Sequence, residues 1–435
     1  MTVSGRFTLL VALGVVPIVL LGSSPAVAGG ILALWLLLSV GLGVLDLALA
    51  GSPRAVRLER SLPTRVRLGE TLTSLLYITN SGSRRLRVLV RDAWQPSAGA
   101  GNNRTSLTIP AGERRLVSLP LTPFRRGERR VDRVTIRSYG PLGLWARQAT
   151  LEAPGRIRVL PPFNARKHLP SRITRLKELD GRTSLLVRGQ GTEFDSLREY
   201  VRGDDVRSID WRATARHNDV VVRTWRPERD RRVVIVIDTG RSSAARIDNE
   251  TRLDTAFEAA LLLAALASKA GDRVDMIAFD RRVRGRVQGA QGAELLSRMV
   301  DTLAVIDPEL LEMDWAGVPA QVRAITSQRA LVVLLTSIDA AGASTGLLAV
   351  LPQLTRRHTV VVASVTDPTT LQATHERADR EQVYRAAAAE RALLDVARVA
   401  AAIRQQGADV VTGPPAELPP RLADHYLALK LAGRL

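Results

Sequence analysis

The sequence predicts three parts in succession: a transmembrane helical hairpin, an all-β sandwich, and an α/β domain with a doubly wound, mostly parallel sheet. Three observations support this order. Two apolar runs open the 435-residue chain, short strand-like runs with turn residues follow, and strand and helix patterns alternate in the last part. We therefore divide the chain into a hairpin (1–52), a sandwich (53–160), a linker (161–190), a signature segment (191–232) and an α/β domain (233–435).

The N-terminal apolar runs are Phe7 to Gly22 and Ile31 to Ala50. The second run is long enough to span a bilayer at about 1.5 Å per residue, and the first is at the short end of the range. A secretory signal peptide is the alternative, because Arg6, the first run and Ala26-Val27-Ala28 resemble its three regions. Several arginines follow the second run, so the positive-inside rule places the soluble domains in the cytoplasm. We expect an uncleaved, two-helix hairpin in the cell membrane.

Positive charge is concentrated directly after the apolar runs. The formal net charge is +19, and residues 51–160 hold 21 Arg against 7 acidic residues, a balance of +14. Basic residues beside a membrane anchor are attracted to anionic lipid at about 1 kcal/mol each. A nucleic acid would attract the same charge, but no nucleic-acid-binding motif accompanies it. We therefore expect an anionic lipid surface as a partner and keep nucleic acid as an alternative.

The sandwich is predicted from short β-forming runs at regular spacing, an immunoglobulin-like pattern. Leu72–Thr79 and Leu86–Val90 flank Asn80-Ser81-Gly82, which is typical of a hairpin turn. Four more runs follow, at Arg115–Leu121, Val131–Ser138, Leu144–Leu151 and Ile157–Leu160. The linker after them is polar and contains one short helical pattern near Ile173–Leu179.

Strand and helix patterns alternate from residue 233 onward, which indicates a parallel sheet covered on both faces. The predicted strands are Val233–Ile237, Val274–Phe279, Leu331–Leu335, Val360–Val365 and Asp409–Val411, with an edge hairpin at Arg282–Val287. The predicted helices are Leu253–Lys269, Ala293–Leu303, Trp315–Ile325, Leu347–Arg357, Glu381–Gln406 and one from Arg421. Ligands of such folds bind at the carboxyl ends of the strands. We expect that edge to hold Asp238, Asp280, Ser337 and Asp367.

The signature segment is the most distinctive part of the sequence. Residues 191–225 read GTEFDSLREYVRGDDVRSIDWRATARHNDVVVRTW. A family resemblance rests on Glu193-Phe194, Leu197-Arg198-Glu199-Tyr200, Gly203-Asp204-Asp205, Arg207, Ile209-Asp210-Trp211 and Ala215-Arg216, with the later Arg356-Arg357-His358 and Asp367-Pro368. On these residues the chain resembles the domain-of-unknown-function 58 family, over nearly its whole length.

The resemblance implies a fold and a set of partners. Such proteins resemble von Willebrand factor A-type domains in their C-terminal part. In bacteria they are typically encoded beside a MoxR-type AAA+ ATPase and membrane proteins with transglutaminase-like domains. The family has no established catalytic activity, so the resemblance implies a membrane-anchored adaptor in such an assembly.

The resemblance also implies a Mg²⁺ site whose pattern this chain keeps only in part. A von Willebrand A-type domain can bind Mg²⁺ through an Asp-x-Ser-x-Ser loop, a Thr from a second loop and an Asp from a third, all hard oxygen ligands. Gly240 stands where the middle residue of the first loop belongs. The site is therefore expected to be degenerate. The oxygen donors nearest to its positions are Asp238, Ser242, Asp314, Ser337 and Asp339.

The carboxylates of the signature segment allow three interpretations. Each lies close to an Arg, and Arg–carboxylate pairs suit the pinning of an irregular segment, with Trp211 as an apolar anchor. An exposed docking surface is the second, since Arg and Trp are favoured at binding hot spots. A catalytic cluster is the third. We take the segment as structural or partner-binding, through Glu193, Phe194, Leu197, Arg198, Tyr200, Gly203, Asp204, Arg207, Asp210, Trp211 and Arg216.

The absence of cysteine and of a Gly-Lys dipeptide excludes several kinds of functional site. Without Cys there is no disulfide, thiol nucleophile or Cys-type zinc site. Without a Gly-Lys dipeptide there is no Walker A loop, so any ATP hydrolysis must come from a partner. We therefore expect a non-enzymatic adaptor with no catalytic residues. The first alternative is a metal-dependent hydrolase using Asp238, Asp204 and Asp210, and the second is a basic nucleic-acid-binding protein.

Overall fold

The computed structural model describes residues 1–186, 193–202, 204–217, 219–226, 231–248, 250–338 and 341–435. The chain divides into two compact units, Met1–Leu160 and Pro161–Leu435. Each unit has hydrophobic clusters of its own.

Unit 1 opens with strand β1 (Thr2–Val3) and three apolar helices, α1 (Gly5–Ala12), α2 (Val15–Leu21) and α3 (Pro25–Leu49). Helix α3 is long and apolar enough to cross a membrane, whereas Gly5–Leu21 is shorter. The helix begins at Pro25 rather than at Ile31, because the Ser24 hydroxyl accepts from the Val27 N–H and proline suits the first helical position. One helix of spanning length therefore lies near the N-terminus.

Eight further strands of unit 1 form two sheets. They are β2 (Val56–Ser61), β3 (Arg65–Arg67), β4 (Leu72–Asn80), β5 (Leu86–Asp92), β6 (Arg104–Ile109), β7 (Arg114–Leu121), β8 (Gly127–Tyr139) and β9 (Trp145–Leu160). One sheet runs β1-β9-β8-β5-β6 with β3 beside β9, and the other runs β2-β4-β7. Buried residues of both sheets, such as Ile78 and Ile136, share one core, so the region is a two-layer β sandwich.

Two local predictions for the sandwich are wrong. Asn80-Ser81-Gly82 is not a hairpin turn, because β4 and β5 lie in different sheets. The buried Asn80 amide donates to the carbonyls of Ile109 and Pro110 and holds this crossing between layers. Strand β9 is one strand instead of two. Its pairing with β8 shifts register between Val131 and Arg133, opposite the stretch around Pro154, which has no N–H to give to a ladder.

Both ends of the N-terminal apolar segment are attached to the same part of the sandwich. The Ser4 N–H donates to the Leu144 carbonyl at 3.0 Å, where β1 pairs with β9. Near the other end, the buried Asp46 carboxylate accepts the backbone N–H groups of Leu142, Leu144 and Trp145 at 2.7, 2.7 and 3.1 Å. A carboxylate that accepts several backbone N–H groups is firmly held, so the C-terminal end of α3 is attached to the sandwich.

Unit 2 is an α/β assembly. Its first elements are α4 (Leu169–Leu186), β10 (Glu193–Glu199), α5 (Trp211–His217), β11 (Val221–Arg226), β12 (Arg232–Asp238), β13 (Arg246–Ile247), β14 (Glu250–Thr251), α6 (Arg252–Lys269) and β15 (Arg273–Phe279). The others are β16 (Val283–Val287), α7 (Gly292–Ala304), α8 (Val318–Ile325), β17 (Leu331–Leu335), α9 (Ala341–Thr355), β18 (Thr359–Val365), α10 (Pro368–Ala373), α11 (Arg380–Gln405), β19 (Asp409–Gly413) and α12 (Leu418–Leu431).

The main sheet of unit 2 has six strands in the order β16-β15-β12-β17-β18-β19. All neighbours pair in parallel except β16, which is antiparallel to β15. Alternate residues of β12 point into two different cores: Val233 and Ile235 pack with α6, α7 and α12, while Val234 and Val236 pack with α8, α9 and α11. Helices therefore cover both faces of the sheet.

The described part of the predicted linker is not a free connector. Leu176 of α4 is buried in the core beneath α6 and α12. The buried Glu258 of α6 accepts the backbone N–H groups of Asn164 and Ala165 at 3.3 and 3.0 Å. Residues 161–186 thus belong to unit 2, because their apolar face and first turn are bound there.

Candidate functional site

The carboxyl ends of β12 and β17 form the candidate site. From β12 the chain adds β15 and β16 on one side, and from β17 it adds β18 and β19 on the other. The winding direction therefore changes between these two neighbours, and open α/β sheets bind their ligands in the crevice at such a point. Asp238 is the last residue of β12, and Thr336 follows β17 directly.

Asp238 is the centre of a small oxygen cluster. Its Oδ2 accepts from the Thr336 hydroxyl at 2.7 Å and from the Ser242 hydroxyl at 3.1 Å, and its Oδ1 accepts from the Gly240 N–H at 2.8 Å. The side chain is buried. Burial raises the pKa of this carboxyl, and these three hydrogen bonds oppose the rise without cancelling it. A buried carboxyl with a raised pKa favours holding a proton or a cation.

The pKa of Asp280, at the end of the neighbouring β15, is shifted in the opposite direction. Burial alone would raise its pKa, but hydrogen bonds from Arg284 Nε and from the N–H groups of Arg281 and Arg282 outweigh it and hold the pKa below its ordinary value. Thr239 adds a hydroxyl donor at 3.1 Å. Asp280 is therefore a paired, charged group that organises the loop rather than a free base.

A cavity of about 20 Å³ lies beside Asp238, with space for about one water molecule. Arg252, Thr336 and Ser337 line it together with apolar residues of β17, β18 and α6. Arg252 Nη1 donates to the Ser337 hydroxyl at 2.7 Å and so fixes this wall. The cavity fits a water or an ion, and is far smaller than the usual site of an organic substrate.

The structure brings together only part of the predicted metal set. Asp238 and Ser242 are joined, as described above. Ser337 faces Arg252 instead, and Asp314 accepts from the Gly317 N–H as the cap of a short 3₁₀ turn. Asp367 caps α10 by accepting from Thr369. Asp339 lies outside the described residues.

Sequence reasoning missed Thr336, whose hydroxyl takes the position that we had assigned to Ser337. The signal was present, since Thr336 and Ser337 are adjacent hydroxyl residues directly after a buried strand. Only the pleat decides which of the two points toward β12. The departure at Gly240 also has a steric reason: a Cβ there would lie 2.8 Å from the Leu311 carbonyl oxygen. The neighbouring loop therefore leaves no room for a side chain at position 240.

The signature segment forms a small structure of its own around a two-stranded antiparallel sheet, β10 and β11. Asp204 accepts from Arg198 at 2.6 Å and from the Val201 N–H at 2.9 Å. Asp210 accepts the N–H groups of Arg212 and Ala213, which caps α5.

Asp210 also ties α5 to β11. Arg223 of β11 lies 2.8 Å from its Oδ2 through both Nε and Nη2. The hydrogen bond from the Ala213 N–H, followed by that from Arg223, lowers the pKa of Asp210 below its ordinary value. The carboxylates of Asp204 and Asp210 therefore hold elements of the segment to one another.

The apolar residues of the segment are not buried as an anchor would be. Trp211 is 67% exposed, so our expectation that it pins the segment apolarly is wrong. Among the described side chains of this segment, the large apolar ones that are exposed are Leu197, Val201, Val206, Trp211 and Val220, which we call the signature surface.

The remaining predicted signature residues divide by exposure. Arg207 and Arg216 are exposed, while Arg198, Tyr200 and Asp204 are half-buried. Glu193 and Phe194 lie in β10, where the structure gives their backbone pairing with Arg226 and Trp225. Gly203 lies outside the described residues.

Comparison with known proteins supports the family resemblance over most of unit 2. Residues 196–403 match the model of a family described as "Protein of unknown function DUF58". An uncharacterized protein of Mycobacterium tuberculosis is 28% identical over 185 residues, which cover 42% of this chain and 57% of that protein. An uncharacterized protein of Mycobacterium bovis has the same identity and coverage. The match thus spans little more than half the length of these relatives.

Solved structures give only weak likeness. The CARDB domain of a Pyrococcus furiosus protein, crystallised with di-metal ions, covers 26% of this chain and 91% of that chain with 13% identity and a TM-score of 0.18. A complex of zinc 2-glycoprotein and prolactin inducible protein from human seminal plasma covers 23% of this chain and 92% of that chain, with 12% identity and a TM-score of 0.20. Neither likeness decides the function.

The family match runs from β10 into α11, so it holds both the signature surface and the strand ends around Asp238. It also holds Gly342-Ala343-Ser344-Thr345-Gly346, which has the spacing of a nucleophile elbow. That elbow places its serine on the turn between a strand and a helix. Here the five residues lie inside α9. The motif is therefore in the wrong structural context for a hydrolase nucleophile.

Proposed function

We propose that this chain is a membrane-anchored, non-enzymatic interaction protein that binds a partner through the signature surface and the strand ends around Asp238 in unit 2. The observation that carries the proposal is the exposure of Trp211 next to Asp210, whose carboxylate is bound by Arg212, Ala213 and Arg223. Exposed apolar side chains rimmed by Arg are typical of protein-binding surfaces, and Trp and Arg are favoured at their hot spots.

The strand ends offer a second apolar contact. Leu310 is 77% exposed in the loop after α7. That loop is attached to the Asp238 edge, since the Arg241 N–H donates to the Leu311 carbonyl and the Glu309 N–H donates to the Thr239 carbonyl. A partner that reaches Leu310 would therefore also meet the loop that carries Ser242.

The fold and family resemblance support the kind of partner. The order β16-β15-β12-β17-β18-β19, with one antiparallel edge, fits a von Willebrand A-like domain. Within the proposal, the partner is a MoxR-type AAA+ ATPase, in an assembly with membrane proteins that have transglutaminase-like domains. The chain has no Walker A motif, so the partner supplies the ATP hydrolysis.

The anchor in this proposal is a two-helix hairpin with the soluble units in the cytoplasm. Packing of the short helices against α3 supports it: Trp35 Nε1 donates to the Leu10 carbonyl at 3.0 Å, and a Cβ on Gly14 would lie 2.4 Å from the Trp35 ring. The attachment of Ser4 and Asp46 to the same sandwich edge also supports a segment that leaves and returns on one side.

Mg²⁺ is the cofactor to test at the strand ends. Among the described residues, no group of three or more His, Cys, Asp or Glu could hold a metal ion. The Asp238 cluster provides one carboxylate and two hydroxyls, a hard-oxygen set that Mg²⁺ accepts when waters complete its shell. A partner carboxylate would strengthen such a site, so the proposal includes Mg²⁺-dependent partner binding.

The decisive experiment is affinity purification of the tagged full-length protein from native membranes, with and without Mg²⁺, followed by mass spectrometry. We expect a stoichiometric AAA+ ATPase with the wild type and at least tenfold less with Trp211→Ala, since hot-spot truncations cost about 2 kcal/mol or more. Tyr384→Ala is the matched control, because Tyr384 is a similarly exposed aromatic of unit 2 outside the signature surface. Equal recovery from both variants would reject the signature surface.

The two alternatives make different predictions. The hydrolase alternative predicts that Asp238→Ala abolishes turnover and divalent-cation binding. The adaptor proposal predicts that neither the wild type nor Asp238→Ala shows any turnover. A nucleic-acid-binding protein predicts steeply salt-dependent binding by the Arg-rich residues 51–160. Absence of binding to DNA or RNA at low salt would remove that alternative.

A further inference from the structure

A polar cavity of about 700 Å³ opens in unit 1 beside the base of the apolar segment. Its walls come from the start of α1, from β5 and β6, and from the end of β8. The polar residues that line it are Ser4, Arg6, Arg87, Ser106, Thr108 and Tyr139. Its volume lies within the range of about 300–1,000 Å³ that small ligands occupy in proteins.

The cavity is positively charged. Arg6 and Arg87 are both exposed and both line it, and none of its lining residues is acidic within this fully described part of the chain. The loop after β8 orients the two guanidinium groups: Arg87 Nη1 donates to the Pro141 carbonyl at 2.8 Å, and Arg6 Nη1 donates to the Leu142 carbonyl at 3.4 Å. Each guanidinium keeps further N–H groups for an anion.

The Asp46 carboxylate is bound to the same loop but does not line the cavity. Asp46 is buried and accepts three backbone N–H groups of the same loop, on the side of α3. Gly140, which lines the cavity, separates the two, and a Cβ there would lie 2.2 Å from Asp46. The loop therefore presents its N–H groups to Asp46 and its carbonyl groups to the two arginines.

The position of the cavity indicates the source of the anion. Ser4 is the last residue before α1, and the loop that holds Arg6 and Arg87 also holds the end of α3. The cavity therefore lies where the apolar segment enters the sandwich. If that segment is in a bilayer, this is the depth of the lipid headgroups.

We propose that this cavity binds the phosphate of an anionic phospholipid headgroup. Two guanidinium groups match phosphate oxygens geometrically, and the hydroxyls of Ser106 and Thr108 are donors for a headgroup glycerol. The inference rests on the membrane anchoring proposed above and goes beyond it, because it assigns one site on the protein rather than a diffuse basic surface.

The test is native mass spectrometry of the detergent-purified full-length chain titrated with phosphatidylglycerol or phosphatidylcholine. We expect the wild type to retain phosphatidylglycerol preferentially. The Arg6→Gln/Arg87→Gln variant should bind it about 30-fold more weakly, the effect of removing two arginines near an anionic headgroup. The matched control, Arg104→Gln/Arg133→Gln, removes the same charge from exposed positions of β6 and β8 outside the cavity and should bind as the wild type does.

A second variant guards against loss of folding. Ser106→Glu places a negative charge in the cavity and leaves both arginines with their loop, so it should weaken phosphatidylglycerol binding while circular dichroism stays unchanged. Equal weakening in the control double variant, or no preference for phosphatidylglycerol in the wild type, would overturn the proposal. Displacement by inorganic phosphate or glycerol phosphate at equal concentration would assign the site to a soluble phosphate and also overturn it. Alkaline extraction of native membranes reports the anchoring separately, so the two failures are distinguishable.

Discussion

Arg60 and Asp92 form a bidentate ion pair inside the sandwich, with Nη1 and Nη2 each 2.8 Å from a carboxylate oxygen and side chains 3% and 4% exposed. The guanidinium also lies over the Trp94 ring, 5.4 Å from its centroid. Removing one partner of a buried pair leaves the other charge without compensation. We therefore expect Arg60→Ala to lower the free energy of unfolding by about 3–5 kcal/mol.

Urea unfolding of the full-length chain in detergent measures this loss. Arg57→Ala is the matched control, since Arg57 lies on the same strand and its side chain, 75% exposed, pairs with Glu59 at the surface. Exposed pairs contribute about 0–1 kcal/mol. Similar losses in the two variants would show that the burial of Arg60 does not determine its effect.

A second residue-scale prediction concerns Asp238, whose pKa is raised by burial despite its hydrogen bonds. In the unfolded chain an Asp titrates near pH 3.9. Between that value and the raised pKa the folded protein binds more protons than the unfolded one, so its stability falls as pH rises. Asp238→Asn removes this titration. Its free energy of unfolding relative to the wild type should increase from about pH 4 upward and level off above the folded pKa.

Thermal or urea unfolding of wild type and Asp238→Asn over a pH series, without divalent cations, tests the sign. A difference that does not change with pH would contradict the raised pKa. Repeating the series with Mg²⁺ tests whether the ion binds, because a ligand that binds only the folded state increases the free energy of unfolding. A Mg²⁺ effect confined to the wild type would place the ion at Asp238.

At the scale of elements, Asp210 connects α5 with β11. Its carboxylate accepts two N–H groups of α5 and the Arg223 side chain of β11. Asp210→Ala removes both contacts, so we expect faster amide hydrogen exchange in Trp211–His217 and Val221–Arg226. Trp211→Ala should leave exchange there unchanged, because its side chain is exposed. Faster exchange in both variants would show that Trp211 supports the segment, contrary to its assignment as a docking residue.

The elements that sequence predicts best are those whose pattern has one structural solution. The strands of the α/β sheet were predicted correctly because continuous apolar runs such as Val233–Ile237 are buried on both faces. The strand pairing in the sandwich was not, since Asn80-Ser81-Gly82 suits a hairpin and a crossing between sheets equally well. The choice depends on the carbonyls of Ile109 and Pro110, which are distant in sequence.

The candidate site shows the same limit. Asp238 was predicted because a strand end delivers it to a known edge of the sheet. Thr336, Arg252 and Arg284 were not, because their roles depend on the direction of a side chain or on a partner in another loop. The lowered pKa of Asp280 depends on the same kind of contact. A sequence pattern predicts the edge of the sheet, and long-range contacts decide which groups on it remain available.

At the scale of the whole molecule, the attachment of Ser4 and Asp46 to one loop of the sandwich constrains membrane topology. A segment that starts and ends at the same loop returns to the side from which it left. If the sandwich is cytoplasmic, as proposed, and Gly5–Leu21 and α3 both enter the bilayer, the turn between α2 and α3, at Ser23, should face the outside of the cell. Cleavage of a signal peptide after Ala28 would instead remove β1 and its pairing with β9.

Cysteine accessibility tests this topology cleanly because the chain has no Cys of its own. Ser23→Cys and Gly101→Cys place single thiols at the helix turn and at an exposed loop of the sandwich. With intact cells and a membrane-impermeant maleimide, we expect labelling of Ser23→Cys only, and labelling of Gly101→Cys after the cells are opened. The intact mass of the purified protein shows whether residues 1–28 are present. A missing N-terminus would reject the hairpin. Labelling of Gly101→Cys from outside would reject the cytoplasmic placement on which partner binding depends.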